Sequence, residues 1–300
     1  MLLTNNLGYP RVGAFRELKK ANEAYWAKKI SAQELLQAGL KIREGNWKTQ
    51  KDAGIDLIPS NDFSFYDQVL DLTLTVGAIP AQYQSLLNNE DKGYNLDLYF
   101  AMARGFQQDG VDVTAMEMTK WFDTNYHYIV PEFVKNQEFK LTSEKFLNEY
   151  NEAKSLGIET KPVLIGPISY LLLGKEKESG FNRIDLIDKL VPVYEEILGK
   201  LAAAGAKYVQ IDEPFLALDI DDATRALYTS VFTKLAAAAQ DIKIIVTTYF
   251  EALRDNEETA LNLPVYAVHV DLVRGENQLD TILAKVPASL TLSLGVVEGR

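Results

Sequence analysis

Apolar residues fall into two alternating patterns along the chain. Short continuous runs rich in Val, Ile and Leu are separated by longer stretches whose apolar positions recur every three or four residues. Three times, a stretch of the second kind stops at a glycine and a run of the first kind follows at once. The first case is Ala53-Gly54-Ile55-Asp56-Leu57-Ile58-Pro59. The second is Leu156-Gly157-Ile158 leading into Lys161-Pro162-Val163-Leu164-Ile165-Gly166-Pro167, and the third is Ala204-Gly205-Ala206-Lys207-Tyr208-Val209-Gln210-Ile211-Asp212-Glu213-Pro214. Glycine suits the left-handed position just past a helix. A short apolar run bounded by turn residues reads as a buried parallel strand, and the following prolines mark where each strand stops.

The preceding helices carry start signals of their own. Ser31-Ala32-Gln33-Glu34 is a capping box, opening a helix with Leu35, Leu36, Leu40 and Ile42 on its apolar side. Thr142-Ser143-Glu144-Lys145 starts a second helix, with Phe146, Leu147 and Tyr150 facing inward. Residues 184–204 and 221–240 form a third and a fourth. Further strands are expected at residues 111–118, 242–248, 266–271 and 290–297, and one around Leu7 raises the total to eight. Strands alternating with helices pair in parallel, and about eight of them suggest closure. The fold class is therefore α/β, a (βα)8 TIM-like barrel. The alternative is a doubly wound open sheet, which would want a glycine-rich phosphate loop after its first strand; Gly8-Tyr9-Pro10-Arg11-Val12-Gly13 is a poor one. Gly299-Arg300 follows the last expected strand with no closing helix, so the barrel is expected to be truncated near that strand, inside a larger protein.

Charge and composition narrow the function. The 300 residues have a formal net charge of −11, which disfavours nucleic acid and anionic lipid as partners. The absence of cysteine excludes disulfides, cysteine nucleophiles and thiolate metal sites. The Met1-Leu2-Leu3-Thr4-Asn5-Asn6 start has no basic region followed by an apolar stretch, and no apolar run approaches the ~20 residues that span a bilayer. A cytoplasmic protein is expected.

Four groups of residues could carry chemistry. His127 and His269 are the only histidines. His269 and Asp271 share a strand face and could form a metal pair or proton relay, or a hydrogen-bonded pair packed at a barrel mouth. Asp212 and Glu213 end a strand, where barrel active sites form. Adjacent strand residues point to opposite faces, so both cannot line the barrel centre, and one could instead cap the next helix or tie down a neighbouring loop. The aromatic and polar stretch Met118-Thr119-Lys120-Trp121-Phe122-Asp123-Thr124-Asn125-Tyr126-His127-Tyr128 is either a ligand-binding loop or a loop folded over the barrel. Arg11 and Arg16-Glu17-Leu18-Lys19-Lys20 form a cationic cluster after the first strand, either an anion site or a solvated helix face.

Together these segments resemble one family. Leu7-Gly8-Tyr9-Pro10-Arg11-Val12-Gly13 with Arg16-Glu17-Leu18-Lys19-Lys20 is similar to the opening signature of cobalamin-independent methionine synthases. The stretch from Glu117 to Tyr128 resembles a second signature, and Gln210-Ile211-Asp212-Glu213-Pro214, Thr247-Thr248-Tyr249-Phe250 and His269-Val270-Asp271-Leu272-Val273 resemble three more, in the family's order. The likeness covers essentially the whole chain. It implies a methyl transfer from 5-methyltetrahydropteroyl polyglutamate to homocysteine, carried out by two similar barrels. Zinc, its cysteine-containing ligands and the homocysteine site would lie in a C-terminal barrel that this chain lacks. Residues 1–300 would then be an N-terminal barrel with no catalytic residue and no metal ligand. It would contact the folate tail through Arg16, Glu17, Leu18, Lys19 and Lys120. Two other readings stay open: a self-contained barrel hydrolase or aldolase using Asp212, Glu213, His127 or His269, and a non-catalytic module that supports a partner domain.

Overall fold

The computed structural model describes residues 2–87, 95–108, 110–239 and 241–298. Gln240 and Gly299-Arg300, on which two expectations touch, lie outside the described residues. In chain order the main elements are helices α1 (Glu17–Trp26) and α2 (Ala32–Asp52), strand β1 (Ile58–Ser60), α3 (Gln68–Thr75), α4 (Leu96–Arg104), α5 (Lys145–Ser155), β2 (Thr160–Ile165), α6 (Pro167–Leu173), α7 (Ile187–Ala204), β3 (Tyr208–Asp212), α8 (Asp222–Ala239), β4 (Lys243–Thr247), α9 (Glu257–Leu261), β5 (Ala267–Asp271), α10 (Leu279–Lys285) and β6 (Thr291–Gly295).

The six strands form one parallel sheet in the order β1-β2-β3-β4-β5-β6. Spatial order follows chain order with no reversal, as in barrel winding, whereas a doubly wound sheet reverses at its switch point. The N-terminal segment joins the two edges. Asn5 makes a parallel bridge to Leu57, just ahead of β1. Its side-chain amide donates to Ser293 Oγ on β6 at 3.1 Å, and the Leu7 carbonyl accepts from Gln210 Nε2 on β3 at 3.1 Å. The sheet is therefore curled as in a TIM-like α/β barrel.

The expected strand at 111–118 is not part of that sheet. Val111–Val113 pairs antiparallel with Phe106–Gln108, and Met118–Lys120 pairs antiparallel with His127–Ile129. Among the described residues the curled sheet therefore has six strands and one bridge rather than eight strands. Part of the segment between β1 and α5 instead builds a second core on the flank of the barrel. Phe63, Phe65, Tyr99, Phe100, Met102 and Ile129 pack there with Leu18 and Leu35. The larger core lies between the sheet and the α6–α8 layer, with Leu190, Tyr194, Ile197, Leu201, Tyr228 and Phe232 buried against Ile211, Val246 and Val268.

The punctuation signals are where the sequence pattern put them. Gly54, Gly157 and Gly205 all have left-handed φ, of 79°, 70° and 87°. The Ser31 capping box forms in both directions, Glu34 N–H donating to Ser31 Oγ at 3.2 Å and Ser31 N–H to Glu34 Oε2 at 2.7 Å. The second helix begins at Lys145, and only a long contact from Lys145 N–H to Ser143 Oγ, at 3.3 Å, serves its first turn. Among the described residues no helix is long and apolar enough to cross a membrane.

Candidate functional site

Neighbouring parallel strands in register turn the same face inward. Ile165, Asp212, Thr247, His269 and Ser293 are register partners in a row across β2 to β6, so they form one layer near the carboxyl ends of the strands. Gln210 lies two residues before Asp212 on the same face. Its amide donates to Asp212 Oδ1 at 2.7 Å, and its carbonyl oxygen accepts from the Lys161 ammonium. Tyr249 donates to the other Asp212 oxygen at 3.1 Å. His269 Nδ1 is 2.9 Å from Ser293 Oγ. Thr247 Oγ1 is buried with no hydrogen-bond partner among the described residues. Desolvation dominates the titration of this bore, pushing Asp212 up to about 6 and Lys161 down to about 8. It also pushes His269 down to about 4.

Lys161 was not singled out from the sequence, although a buried lysine is what a Schiff-base aldolase would need. The signal was present: Lys161, Val163 and Ile165 share a strand face, as do Gln210 and Asp212, so polar residues recur at inward spacing on two adjacent strands. At 1% exposure and engaged with Gln210, the Lys161 amine has no open path to a substrate carbonyl.

Asp212 and Glu213 diverge, as alternation requires. Glu213 points away from the bore and caps α6, accepting Ser169 N–H at 2.9 Å, Ile168 N–H at 3.2 Å and the Ser169 hydroxyl at 2.6 Å. Tyr228 adds a fourth donor at 3.1 Å. Gly166 makes this possible, since a Cβ there would lie 2.0 Å from Glu213 Oε1. Burial nonetheless raises the Glu213 carboxyl to about 7, the hydrogen bonds opposing the shift. Glu213 thus caps a helix, but an earlier one in the chain rather than the next one, because the parallel strand order sets β3 beside the end of β2.

His269 and Asp271 do not bond each other. Asp271 accepts the N–H groups of Val273, Arg274 and Phe250 at 2.9–3.0 Å, ordering the loop after β5. His127 is exposed, its Nδ1 3.0 Å from the Asn125 carbonyl. No group of three or more His, Asp or Glu side chains converges as a metal site among the described residues.

The rim of the mouth is built differently. The residues 121–126 loop folds over the barrel through Trp121 and Phe122, which meet Tyr249, Phe250 and Phe215 with ring centroids 5.6–6.5 Å apart. Phe122 and Phe250 hold left-handed φ of 51° and 80°, strain that the packed rings sustain. An ion pair from Arg274 to Asp123 ties this loop to the one after β5. The N-terminal loop joins from the other side. The Arg11 guanidinium lies over the Tyr126 ring at 5.0 Å and donates to the Ser64 carbonyl at 2.9 Å. Two of the motifs singled out in the sequence are thereby brought together.

The five expected tail contacts are placed unequally. Arg16, Glu17, Lys19 and Lys120 are exposed. Arg16 is the N-cap of α1 with φ 62°, and Glu17 Oε2 folds back to accept Phe15 N–H at 2.9 Å. Leu18 is buried in the flank core and its N–H is taken by the Val12 carbonyl. Lys19 makes a long, exposed pair with Glu23 at 3.7 Å. Neither Arg16 nor Lys120 has an ion-pair partner among the described residues.

Residues 3–300 match the family model described as cobalamin-independent synthase, N-terminal domain. The chain belongs to that family. A relative from Flavobacterium johnsoniae, named 5-methyltetrahydropteroyltriglutamate–homocysteine methyltransferase, is 64% identical over 99% of this chain and 38% of its own length. One of the same name from Cytophaga hutchinsonii is 56% identical over 100% of the chain and 39% of its own length. The chain thus spans about two fifths of these relatives. In fold it is similar to a putative vitamin-B12 independent methionine synthase from Listeria monocytogenes, with a TM-score of 0.64 at 14% identity, covering 98% of this chain and 81% of that one. A B12-independent methionine synthase from a Shewanella species gives a TM-score of 0.60 at 12% identity, covering 88% and 72%. In this member of the cobalamin-independent synthase family, the polar groups of the barrel interior are engaged with one another.

Proposed function

We propose that this chain is the folate-tail-binding N-terminal barrel of a cytoplasmic methyltransferase that makes methionine from homocysteine and 5-methyltetrahydropteroyl polyglutamate. Arg16, Lys19 and Lys120 hold the tail, while Glu17 and Leu18 shape the turn that presents them. The carrying observation is that these three cations are exposed with weak or no ion pairing, on two segments that the Arg11–Tyr126 contact holds side by side. A glutamate tail is a string of carboxylates, which such cations complement.

Zinc and homocysteine belong, in this reading, to a C-terminal barrel of the same protein. The side chains of this half do not fit zinc: there is no thiolate, and His269 is engaged with Ser293. The chain alone should therefore give no methionine from homocysteine and methyltetrahydrofolate triglutamate in the presence of zinc. Each exposed charge pair contributes ~0.2–1 kcal/mol, so three favour the tail by about 0.6–3 kcal/mol, roughly three- to hundredfold. Calorimetric titration of the chain should give tighter binding for the triglutamate than the monoglutamate, a difference that salt erodes. Equal affinity at low salt would overturn the reading.

A further inference from the structure

The two segments proposed to hold the tail rest on one short stretch of chain, residues 64–67. The Ser64 carbonyl accepts from Arg11 of the N-terminal loop at 2.9 Å. The Tyr66 carbonyl accepts from the Tyr126 hydroxyl at 3.4 Å, and the Tyr66 hydroxyl lies 3.9 Å from Met118 Sδ. Asp67 makes a further link. It is fully buried, and its two carboxylate oxygens face different elements. Oδ1 caps α3, accepting the N–H groups of Val69 and Leu70 at 2.8 and 2.9 Å. One oxygen suffices for that cap. Oδ2 instead accepts Ile129 N–H at 3.1 Å.

The Ile129 contact bears on Lys120. Met118–Lys120 and His127–Ile129 form a two-stranded ribbon that, among the described residues, joins no larger sheet. Such a ribbon is marginal in water unless its surroundings fix it. Trp121 N–H donates to the Tyr126 carbonyl and Val130 N–H to the Glu117 carbonyl. Alternation along an antiparallel pair then leaves Met118–Ile129 and Lys120–His127 as the pairs without mutual hydrogen bonds, their N–H groups pointing outward. The outward N–H of Ile129 is the one that Asp67 takes. Met118, across from Ile129, is two residues from Lys120 and on the same face. We infer that Asp67 is a positioning residue for the folate tail: by joining α3 to the outer edge of this ribbon, it sets Lys120 at its distance from Arg16 and Lys19. The inference rests on the tail-binding reading given above.

Asp67→Asn separates the two roles. The asparagine oxygen can still cap α3, but its amide would face Ile129 N–H, donor against donor. Burial pushes the Asp67 carboxyl up to about 7 against the pull of the Leu70 and Ile129 N–H groups, so the titrations belong at pH 8, where it is largely ionised. In the 300-residue chain, Asp67→Asn should weaken binding of 5-methyltetrahydropteroyl triglutamate about two- to fivefold, as much as Lys120→Ala does. In a Lys120→Ala background it should weaken binding no further, whereas in a Lys19→Ala background the full loss should persist. Asp67→Ser also caps but is too short to span both partners; it should behave alike, and it guards against an asparagine variant that fails to fold. Ile129 amide exchange should quicken at least about tenfold in both, as expected on losing a hydrogen bond to a charged group. Equal losses in the wild-type and Lys120→Ala backgrounds would reduce Asp67 to a general structural part and overturn the inference. So would no loss at all, or unchanged Ile129 exchange. Equal affinity of the unsubstituted chain for mono- and triglutamate is a separate result, one that would overturn the tail reading and this inference with it.

Discussion

The bore of the barrel and its rim both carry charge, and they use it in opposite ways. In the bore, Lys161, Gln210 and Asp212 are almost wholly buried and joined by hydrogen bonds. Burying an ion costs several kcal/mol, which only a committed partner offsets. A group so committed is poorly placed to serve a ligand. Arg16 and Lys120, by contrast, are exposed, with no ion-pair partner among the described residues, and cost little to hold. Charge at the end of a barrel strand is therefore a poor guide to chemistry until its partners are known.

The largest effect expected from this contrast is in the bore. Lys161→Met leaves Gln210 without its donor and Asp212 without the nearby cation, and should destabilise the chain by about 3–5 kcal/mol. The double variant Lys161→Met, Asp212→Asn removes both charges and should recover part of that loss. Urea unfolding at pH 7 measures both. A Lys161→Met variant as stable as wild type would mean that the bore is wet and its charges independent.

Glu213 sharpens the comparison through pH. Its carboxyl is raised from about 4.5 to about 7 by burial, so between those values the folded state holds a proton that the unfolded chain has lost. Its contribution is full below pH 4.5 and fades as pH rises through 7. At ~1.4 kcal/mol per unit the swing is at most about 3 kcal/mol. The advantage of wild type over Glu213→Gln in urea should thus shrink from pH 4.5 to pH 7. An advantage that grows instead would show that the donors from Ser169, Ile168 and Tyr228 outweigh desolvation.

Arg11 belongs to the rim and should matter less. Arg11→Ala removes a cation–π contact of about 0.5–1 kcal/mol and the bond to Ser64. Global stability should drop by about 1 kcal/mol, while amide exchange in residues 121–126 quickens. Unchanged exchange there would show that Trp121 and Asp123 alone secure the loop.

Much of this was legible in the sequence, for identifiable reasons. Gly54, Gly157 and Gly205 announced strands because a helix end and a strand start are set by local backbone chemistry. The divergence of Asp212 and Glu213 followed from strand alternation alone. Residues 111–118 misled because an apolar run has the same appearance in a hairpin as in a barrel strand, and its pairing depends on Phe106–Gln108 and His127–Ile129. The His269–Asp271 pair was misread because shared facing brings side chains near without choosing their partners: Ser293 and the loop amides won. The contact of Arg11 with Tyr126 was out of reach, since nothing local ties positions 115 residues apart.

The smallest effects on stability are expected where the proposed binding role is greatest. Lys19 and Lys120 are exposed, and the one ion pair either makes among the described residues, Lys19 with Glu23, is long and solvated. Replacing either by alanine should change unfolding free energy by no more than about 0.5 kcal/mol, the ordinary range for surface sites. Triglutamate binding should nonetheless fall about two- to fivefold per substitution, since each exposed pair contributes ~0.2–1 kcal/mol. Monoglutamate binding should fall less, because the outer carboxylates are missing. In a full-length enzyme the same substitutions should raise the folate KM and leave kcat nearly unchanged, the tail being remote from the reacting methyl. Parallel losses for mono- and triglutamate would place these lysines against the pterin or the first glutamate instead. No loss for either would remove them from the site and leave Arg16 to hold the tail alone.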